Sequence, residues 1–514
     1  MWQCIRDIRF GITQFFNNHW AVFVWCLLYT CIAGALQYHF ALFVEGDVPY
    51  HAAVGRLISK HGILDDFPWT PFSWLSDNYA DDRLLFHLLY VPFAHLEWKV
   101  AAKIVGTIAG ATILISFYLI LRAERVRFAG LWALIPLAGS VLFISRFLLV
   151  RPHLLSIALA LIFLWAAARS RLVVLAAVSA LYPLTYIAFW QLPCLLLVAA
   201  ETAHFLSGKR TRWRPAAVVL AGIIAGILIH PHSINLLEYN WIVMNDVLFK
   251  VSWLEEVGFD MGAELQPIPL GGWVQGLIVS VFMTIAAVIY SLLNRRKDVL
   301  PLVFTLAALG FCALTIRSAR FAEYFVPFSA AAFAFASRPI TWRFLVPAIL
   351  TVSMLYTMWV GLPTFSAFAI RQKHILPRTE AFLKQVIPRG SLVFTNTWNN
   401  GLLMLKLPYR KFLVALDPTL FYLKDPGLYR LWYELTHEAP AGVAKTIRER
   451  FGTRYVIVKN RHPFARKLNY QLSLEPGVRM LLNSRNWTFF YLGSPEKSNT
   501  ANQEVKDFFQ DVEE

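Results

Sequence analysis

Residues 45–82 read EGDVPYHAAVGRLISKHGILDDFPWTPFSWLSDNYADD. The stretch lies between the first two apolar runs and holds Asp47, Asp65, Asp66, Asp77, Asp81 and Asp82, with His51 and His61. The whole chain has only 32 acidic residues against 48 Lys and Arg, so the acids are concentrated here. Carboxylates at the mouth of a membrane bundle are costly and are kept where chemistry needs them. The stretch therefore reads as an outer loop that carries a catalytic carboxylate.

The surrounding chain is 57% hydrophobic and 16% charged, with a mean hydropathy of +0.51. A soluble domain carries about 25% charged residues, so the chain is expected to cross a membrane many times. The net charge of +16 does not call for nucleic acid, because the basic residues fall in short loops between apolar runs, where they set topology. Residues 20–44 form a run of about 25 residues, enough to span, so residues 1–35 are read as a retained span and not a cleaved leader. Cysteines 4, 26, 31, 194 and 312 imply no disulfide framework and show no zinc-like spacing with His.

The expected fold class is a polytopic α-helical membrane protein of about 11 transmembrane helices with a C-terminal α/β soluble domain. Spans are expected at 20–44, 99–121, 129–146, 154–168, 172–187, 189–206, 215–230, 274–293, 299–316, 322–337 and 344–361. Residues 84–96 are too short to cross and read as a helix at the interface. With the N-terminus inside, the inner segments 122–128, 169–171, 207–214, 294–298 and 338–343 each carry at least two Lys or Arg, whereas the outer loop 230–273 carries one, Lys250. That asymmetry is the positive-inside pattern. The expected domains are 1–361, with outer loops 45–98 and 230–273, then 362–495 as an α/β domain, and 496–514 as a loose tail. Strand-like runs lie at 391–397, 411–417, 454–460 and 487–493, and a helix-like run at 441–451. No P-loop, no GxGxxG on a strand–helix turn and no HExxH occurs.

This layout resembles the GT-C superfamily of integral-membrane glycosyltransferases, in its bacterial form with a C-terminal periplasmic domain. The residues that carry the resemblance are Gly46-Asp47-x-x-Tyr50-His51 directly after the first span, Gly62 and the Asp/Trp-rich stretch to Asp82. SWLEE at 252–256 and TNTWNNGLLMLKLPYRKFLVALDPTLFY at 395–422 add to it. The WWDYG signature of oligosaccharyltransferases is absent. The resemblance implies a polyprenyl-phosphate-linked sugar donor held by the membrane lipids, and a glycan, lipid or protein acceptor on the extracytoplasmic face. It also implies the inner membrane of a bacterium, a cytoplasmic N-terminus and a role in the cell envelope. Asp47 stands where the superfamily places its general base. His51, four residues on, is expected to orient it or to contact donor phosphate, with Tyr50 beside them.

Asp81 and Asp82, or Glu255 and Glu256, are candidates for acceptor or metal binding. A divalent metal, Mg or Mn, is left open by the spacing. An anionic leaving group needs cations, and Arg320, Arg317 and Arg151 are the first candidates, with Arg146 beside them. Arg317, Arg320 and Glu323 are spaced for one helical face, so Glu323 is a candidate partner of Arg320. His230 and His232 read as loop residues near the site. Trp69, Trp74, Trp241 and Trp253 are candidates to stack on sugar, while Trp398, Asn399, Asn400 and Asp417 shape the outer domain or bind acceptor. Two other classes fit the same pattern: a lipid or glycan transporter or flippase, and a non-catalytic scaffold of the same fold.

Overall fold

The computed structural model describes residues 2–40, 47–210, 212–245, 264–294, 296, 298–369, 377–413 and 418–493, with backbone alone for 2–19 and 362–369. Glu255, Glu256, Trp253, Asp417 and the tail 496–514 lie outside the described residues. The chain divides into two compact units. One comprises Met1–Phe43, Asp81–Ser233 and Met261–Gln372; the other comprises Val44–Ala80, Ile234–Asp260 and Lys373–Glu514.

The first unit is helical, because long apolar runs can satisfy their own backbone in lipid only as helices. Among the described residues four helices are long and apolar enough to cross a membrane singly: Trp20–His39, Trp98–Ala123, Leu270–Asn294 and Val299–Arg317. A further pair, Val141–Leu148 with His153–Ala168, is bent by 118° at a short break. Pro152 stands in that break, where a missing N–H ends a helix. Side-chain caps mark several helix starts. Asp298 accepts from the Leu300 N–H at 3.1 Å, Glu97 from Lys99 at 3.0 Å and Ser140 from Phe143 at 3.0 Å.

Ten of the eleven expected spans are helices near their expected bounds. The third is not one helix. Residues 129–148 form three short pieces, Ala129–Trp132, Ile135–Ala138 and Val141–Leu148. Pro136 cannot continue a helix from the residues before it, and Ser140 caps a new one.

Helix Ala322–Ala336 is buried on nearly every side, as a central helix should be. Its alanines and Ser329 let the helices Val299–Arg317 and Leu270–Asn294 pack close against it. A similar close approach joins Trp213–Ile229 to Leu172–Leu181. There a Cβ on Gly222 would lie 2.6 Å from the Ala176 carbonyl oxygen, and one on Gly226 would press into that of Ala180. The pair is spaced Gly-x-x-x-Gly, the spacing that lets helices touch through their backbones.

The second unit is built on a five-stranded sheet in the order β2-β1-β3-β5-β4: β1 Leu392–Thr395, β2 Lys411–Phe412, β3 Tyr455–Lys459, β4 Val478–Asn483 and β5 Trp487–Leu492. β2, β1 and β3 are parallel; β5 and β4 are antiparallel additions. Strand β4 falls on a run with no clean alternation and was not expected from sequence. The loop residues 44–80 belong to this unit. Helix Asp47–His61 packs on helix Gly401–Lys406. The indole of Trp69, fully buried, donates to the Pro408 carbonyl at 3.0 Å, and the Trp69 carbonyl accepts from the Phe412 N–H at 2.6 Å.

Candidate active site

Three helices of the first unit carry a charged cluster at each end. Helix His153–Ala168 begins beside Arg146 and Arg151 and ends at Arg169; helix Ala322–Ala336 begins at Glu323 and ends near Arg338; helix Val299–Arg317 begins at Asp298 and ends near Arg320. At 1.5 Å per residue the first of these separates its ends by about 24 Å.

At the first end, the helix Val141–Leu148 presents Arg146, which is buried. Its Nε and Nη2 donate to Glu323 Oε2 at 3.0 and 2.7 Å, and its Nη1 donates to Glu264 Oε2 at 2.5 Å. Arg151 Nη1 donates to the same Glu264 oxygen at 3.0 Å. The His153 ring donates from Nε2 to the Arg146 carbonyl at 2.9 Å. Arg320 lies in a short 3-10 turn, Ala319–Phe321. Its Nη2 donates to the Tyr186 hydroxyl at 3.1 Å, and its N–H donates to the Glu264 carbonyl at 2.9 Å. Burial pushes the Glu264 carboxyl up, but Arg151, Arg320 and Arg146 outweigh it and hold it well below the ordinary range.

Glu264 and Glu323 thus bind Arg146, and Glu264 also binds Arg151. Among the described residues Arg320 ends on a phenol and makes no ion pair with a carboxylate. Glu323 belongs to Arg146, 177 residues away, and not to Arg320 three residues back. Arg317 closes its helix and is exposed, so it does not share a helical face with Arg320. Glu264 and Tyr186 were not singled out from sequence. Glu264 sits alone in an apolar context, GAELQP, and no local pattern ties it to Arg146.

Asp81 and Asp82 are both buried. The Asp81 carboxylate accepts from His87 Nδ1 at 2.7 and 2.8 Å and from the Arg83 N–H at 3.1 Å, while Asp82 accepts from Arg83 Nε at 3.0 Å. Burial raises both. At Asp81 the His87 contact outweighs burial and lowers it; at Asp82 burial prevails over Arg83 and raises it. His230 Nε2 donates to the Asp81 carbonyl at 2.9 Å, and its Nδ1 accepts from the His232 N–H at 3.1 Å. A carbonyl can only accept and an N–H can only donate, so these contacts fix the Nε2–H tautomer.

The linkage at this pair has opposite signs. Asp81 contributes stability in full above the unfolded range, about 4, and loses it as pH falls through its lowered value. Asp82 contributes below that range and loses it as pH rises through its raised value. Changing His87 to Phe leaves the buried Asp81 with only the Arg83 backbone bond and charge against burial's penalty. The difference in unfolding free energy between wild type and His87→Phe is therefore expected to widen from about pH 3 to pH 6, reaching about 3–5 kcal/mol. A melting series across that range checks it; a flat difference contradicts it.

In the second unit Asp47 opens the helix Asp47–His61, where an acid suits the positive end of the helix dipole. Asp47 is partly buried, and Tyr50 and His51 are buried. His51 follows Asp47 by four residues and shares its face. Tyr50 packs against Trp69 and Phe67 with ring centroids 6.4 and 6.3 Å apart. Trp69 is spent on this core and offers no face for sugar, and Trp74 stacks on Tyr239 at 6.1 Å. Trp241 is exposed. Asp65 and Asp66 are exposed, and Asp77 pairs with Lys424 at 2.7 Å. Asn400 donates to Thr395 Oγ1 and the Thr397 carbonyl, both at 2.9 Å, and shapes the turn after β1. Among the described residues no three His, Cys, Asp or Glu side chains converge as metal ligands.

No protein-family model and no curated protein matches the chain. Solved structures do. The oligosaccharyltransferase AglB from Archaeoglobus fulgidus, solved with an inhibitory peptide and a dolichol-phosphate, matches with a TM-score of 0.60 at 14% identity, over 94% of this chain and 75% of that one. ArnT from Cupriavidus metallidurans bound to undecaprenyl phosphate matches with a TM-score of 0.55 at 11% identity, over 94% of this chain and 100% of that one. The arabinofuranosyltransferase AftD from Mycobacteria matches with a TM-score of 0.55 at 13% identity, over 91% of this chain and 40% of that one. The chain has the GT-C fold, a polytopic helical membrane domain with a soluble α/β domain.

Proposed function

We propose that this protein is a glycosyltransferase that moves a sugar from a polyprenyl-phosphate-linked donor to an acceptor on the extracytoplasmic face. The reaction forms a bond between the acceptor oxygen and the anomeric carbon and breaks the bond from that carbon to the phosphate oxygen. The acceptor proton passes to the Asp47 carboxylate, acting as general base. The electron pair of the broken bond stays on the phosphate, which changes from a singly charged diester to a monoester that carries more negative charge. Cations therefore bind the transition state more tightly than the donor. The fold supports this reading, and the observation that carries it is Arg320, whose guanidinium is held at the Tyr186 hydroxyl beside Arg146 and Arg151 and makes no ion pair with a carboxylate among the described residues.

The positive-inside pattern supports placing the Arg338 end of the helices in the cytoplasm and the Arg320 end outside. A bacterial inner membrane, with the N-terminus inside and the α/β domain outside, fits this orientation. The acceptor is a glycan, lipid or protein. A divalent metal would need donors beyond the described ones, such as Glu255 or Glu256 joining Asp47.

Arg320→Gln is expected to lower kcat/KM for a polyprenyl-phosphate sugar by about 10²–10³-fold. Arg320→Lys should restore part of it, since charge survives but the guanidinium geometry does not. Equal kcat/KM in wild type and Arg320→Gln would remove Arg320 from the donor site.

A further inference from the structure

The two carboxylates among the arginines are held in different ways. Glu323 stands in the first turn of helix Ala322–Ala336, is fully buried, and accepts from Arg146 Nε and Nη2 on its Oε2. Glu264 lies outside any helix, ahead of helix Leu270–Asn294. Its side chain is 30% accessible, whereas those of Arg146 and Arg151 are 8% and 15% accessible. It meets both arginines through a single oxygen: Oε2 accepts from Arg146 Nη1 at 2.5 Å and from Arg151 Nη1 at 3.0 Å.

The backbone at Glu264 is anchored independently of its side chain. The Glu264 carbonyl accepts from the Arg320 N–H at 2.9 Å and from the Ser318 hydroxyl at 3.0 Å, and the Gln266 carbonyl accepts from the Ala319 N–H at 2.9 Å. The carboxylate can therefore turn away while the main chain still holds the turn that carries Arg320. It would leave behind two guanidinium N–H groups aimed at one point. An anionic oxygen between two guanidinium groups suits a phosphate as well as a carboxylate. Arg146 would not be stranded by the exchange, because Glu323 still neutralises it.

We propose that in the free protein the Glu264 carboxylate occupies the place of a donor phosphate oxygen between Arg146 and Arg151, and that the phosphate of the lipid-linked donor displaces it. This inference rests on the reading of the protein as a polyprenyl-phosphate-dependent transferase. Glu264 is then a specificity-determining residue of the donor site. A phosphodiester brings the same charge as the carboxylate together with a lipid already held by the membrane. A neutral lipid brings no charge to take the carboxylate's place, and a free phosphate brings no lipid.

The test is a binding titration of the full-length protein in nanodiscs with fluorescent polyprenyl phosphate. Glu264→Gln is expected to bind it about tenfold more tightly than wild type, the factor that follows if the carboxylate holds the site about nine-tenths of the time. Glu264→Asp keeps the charge but is one methylene shorter, so it should bridge the arginines poorly and gain part of that factor; it also serves if Glu264→Gln does not fold. In transfer assays the gain should appear as a lower donor KM, whereas losing a residue that only positions the arginines would raise it. Excess inorganic phosphate should leave the bound lipid in place. Equal or weaker binding by folded Glu264→Gln, while wild type binds, would overturn the displacement and leave the donor reading standing. Binding by Glu264→Asp equal to that of wild type would show that charge and not occupancy sets the affinity, and release of the lipid by inorganic phosphate would show that the lipid plays no part; either overturns the proposal. Equal binding of polyprenyl phosphate and neutral polyprenol by wild type would overturn both the displacement and the donor reading beneath it.

Discussion

Asp47→Asn is expected to lower sugar transfer by about 10²–10⁴-fold, the usual contribution of a positioned general base. The substitution keeps the size of the side chain and its place in the first turn of helix Asp47–His61, so the fold should survive. An amide cannot take the acceptor proton, and the loss should therefore fall on kcat with little change in donor KM. Steady-state kinetics at saturating donor separate the two. A rise in KM with kcat intact would make Asp47 a binding residue.

Glu323→Leu is the change with the largest expected effect on stability. Glu323 is fully buried and holds Arg146 through two hydrogen bonds. Removing one member of a buried pair strands the other charge, which costs about 3–5 kcal/mol. Glu264 still touches Arg146, so the lower part of that range is expected, with a loss of transfer beyond it because Arg146 is no longer fixed. The paired change Glu323→Leu with Arg146→Met removes both charges and should recover most of the stability while transfer stays low. Thermal unfolding of the two variants in the same detergent checks this. Equal destabilisation of the single and double variants would mean that packing, and not charge, decides the site.

Much of the membrane domain was legible because hydropathy over twenty residues is a strong local signal. Ten of the expected spans are helices in the described structure. The third span failed because Pro136 and Ser140 break a stretch whose average hydropathy is still high. The shortness of residues 84–96 was legible from the length of the apolar run, and they form a helix, Leu84–Tyr90, with a 3-10 turn. The helix after the first span is described from Asp47, and Pro49 is tolerated in its first turn. Strand β4 was hidden, since it pairs at the sheet edge and lacks a clean alternation.

The site was legible as a set of residue types and not as a set of partners. An acid after the first apolar run and arginines at helix ends can be named from the chain. That Glu323 holds Arg146 instead of Arg320, or that Glu264 bridges two arginines, depends on helices that meet across more than a hundred residues. The burial of Asp81 against His87 likewise follows from packing. It turns an expected ligand-facing acid into one whose carboxylate is already engaged.

The most direct measurement follows the donor itself. The full-length protein in a membrane mimetic would be given radiolabelled polyprenyl-phosphate sugars with a membrane lipid and glycan extract, and both products would be counted. Wild type is expected to move label to an acceptor and release one polyprenyl phosphate per sugar moved, and folded Asp47→Asn to do neither. Equal turnover by the two proteins, or no turnover of any polyprenyl-phosphate sugar by wild type, would contradict transfer through Asp47.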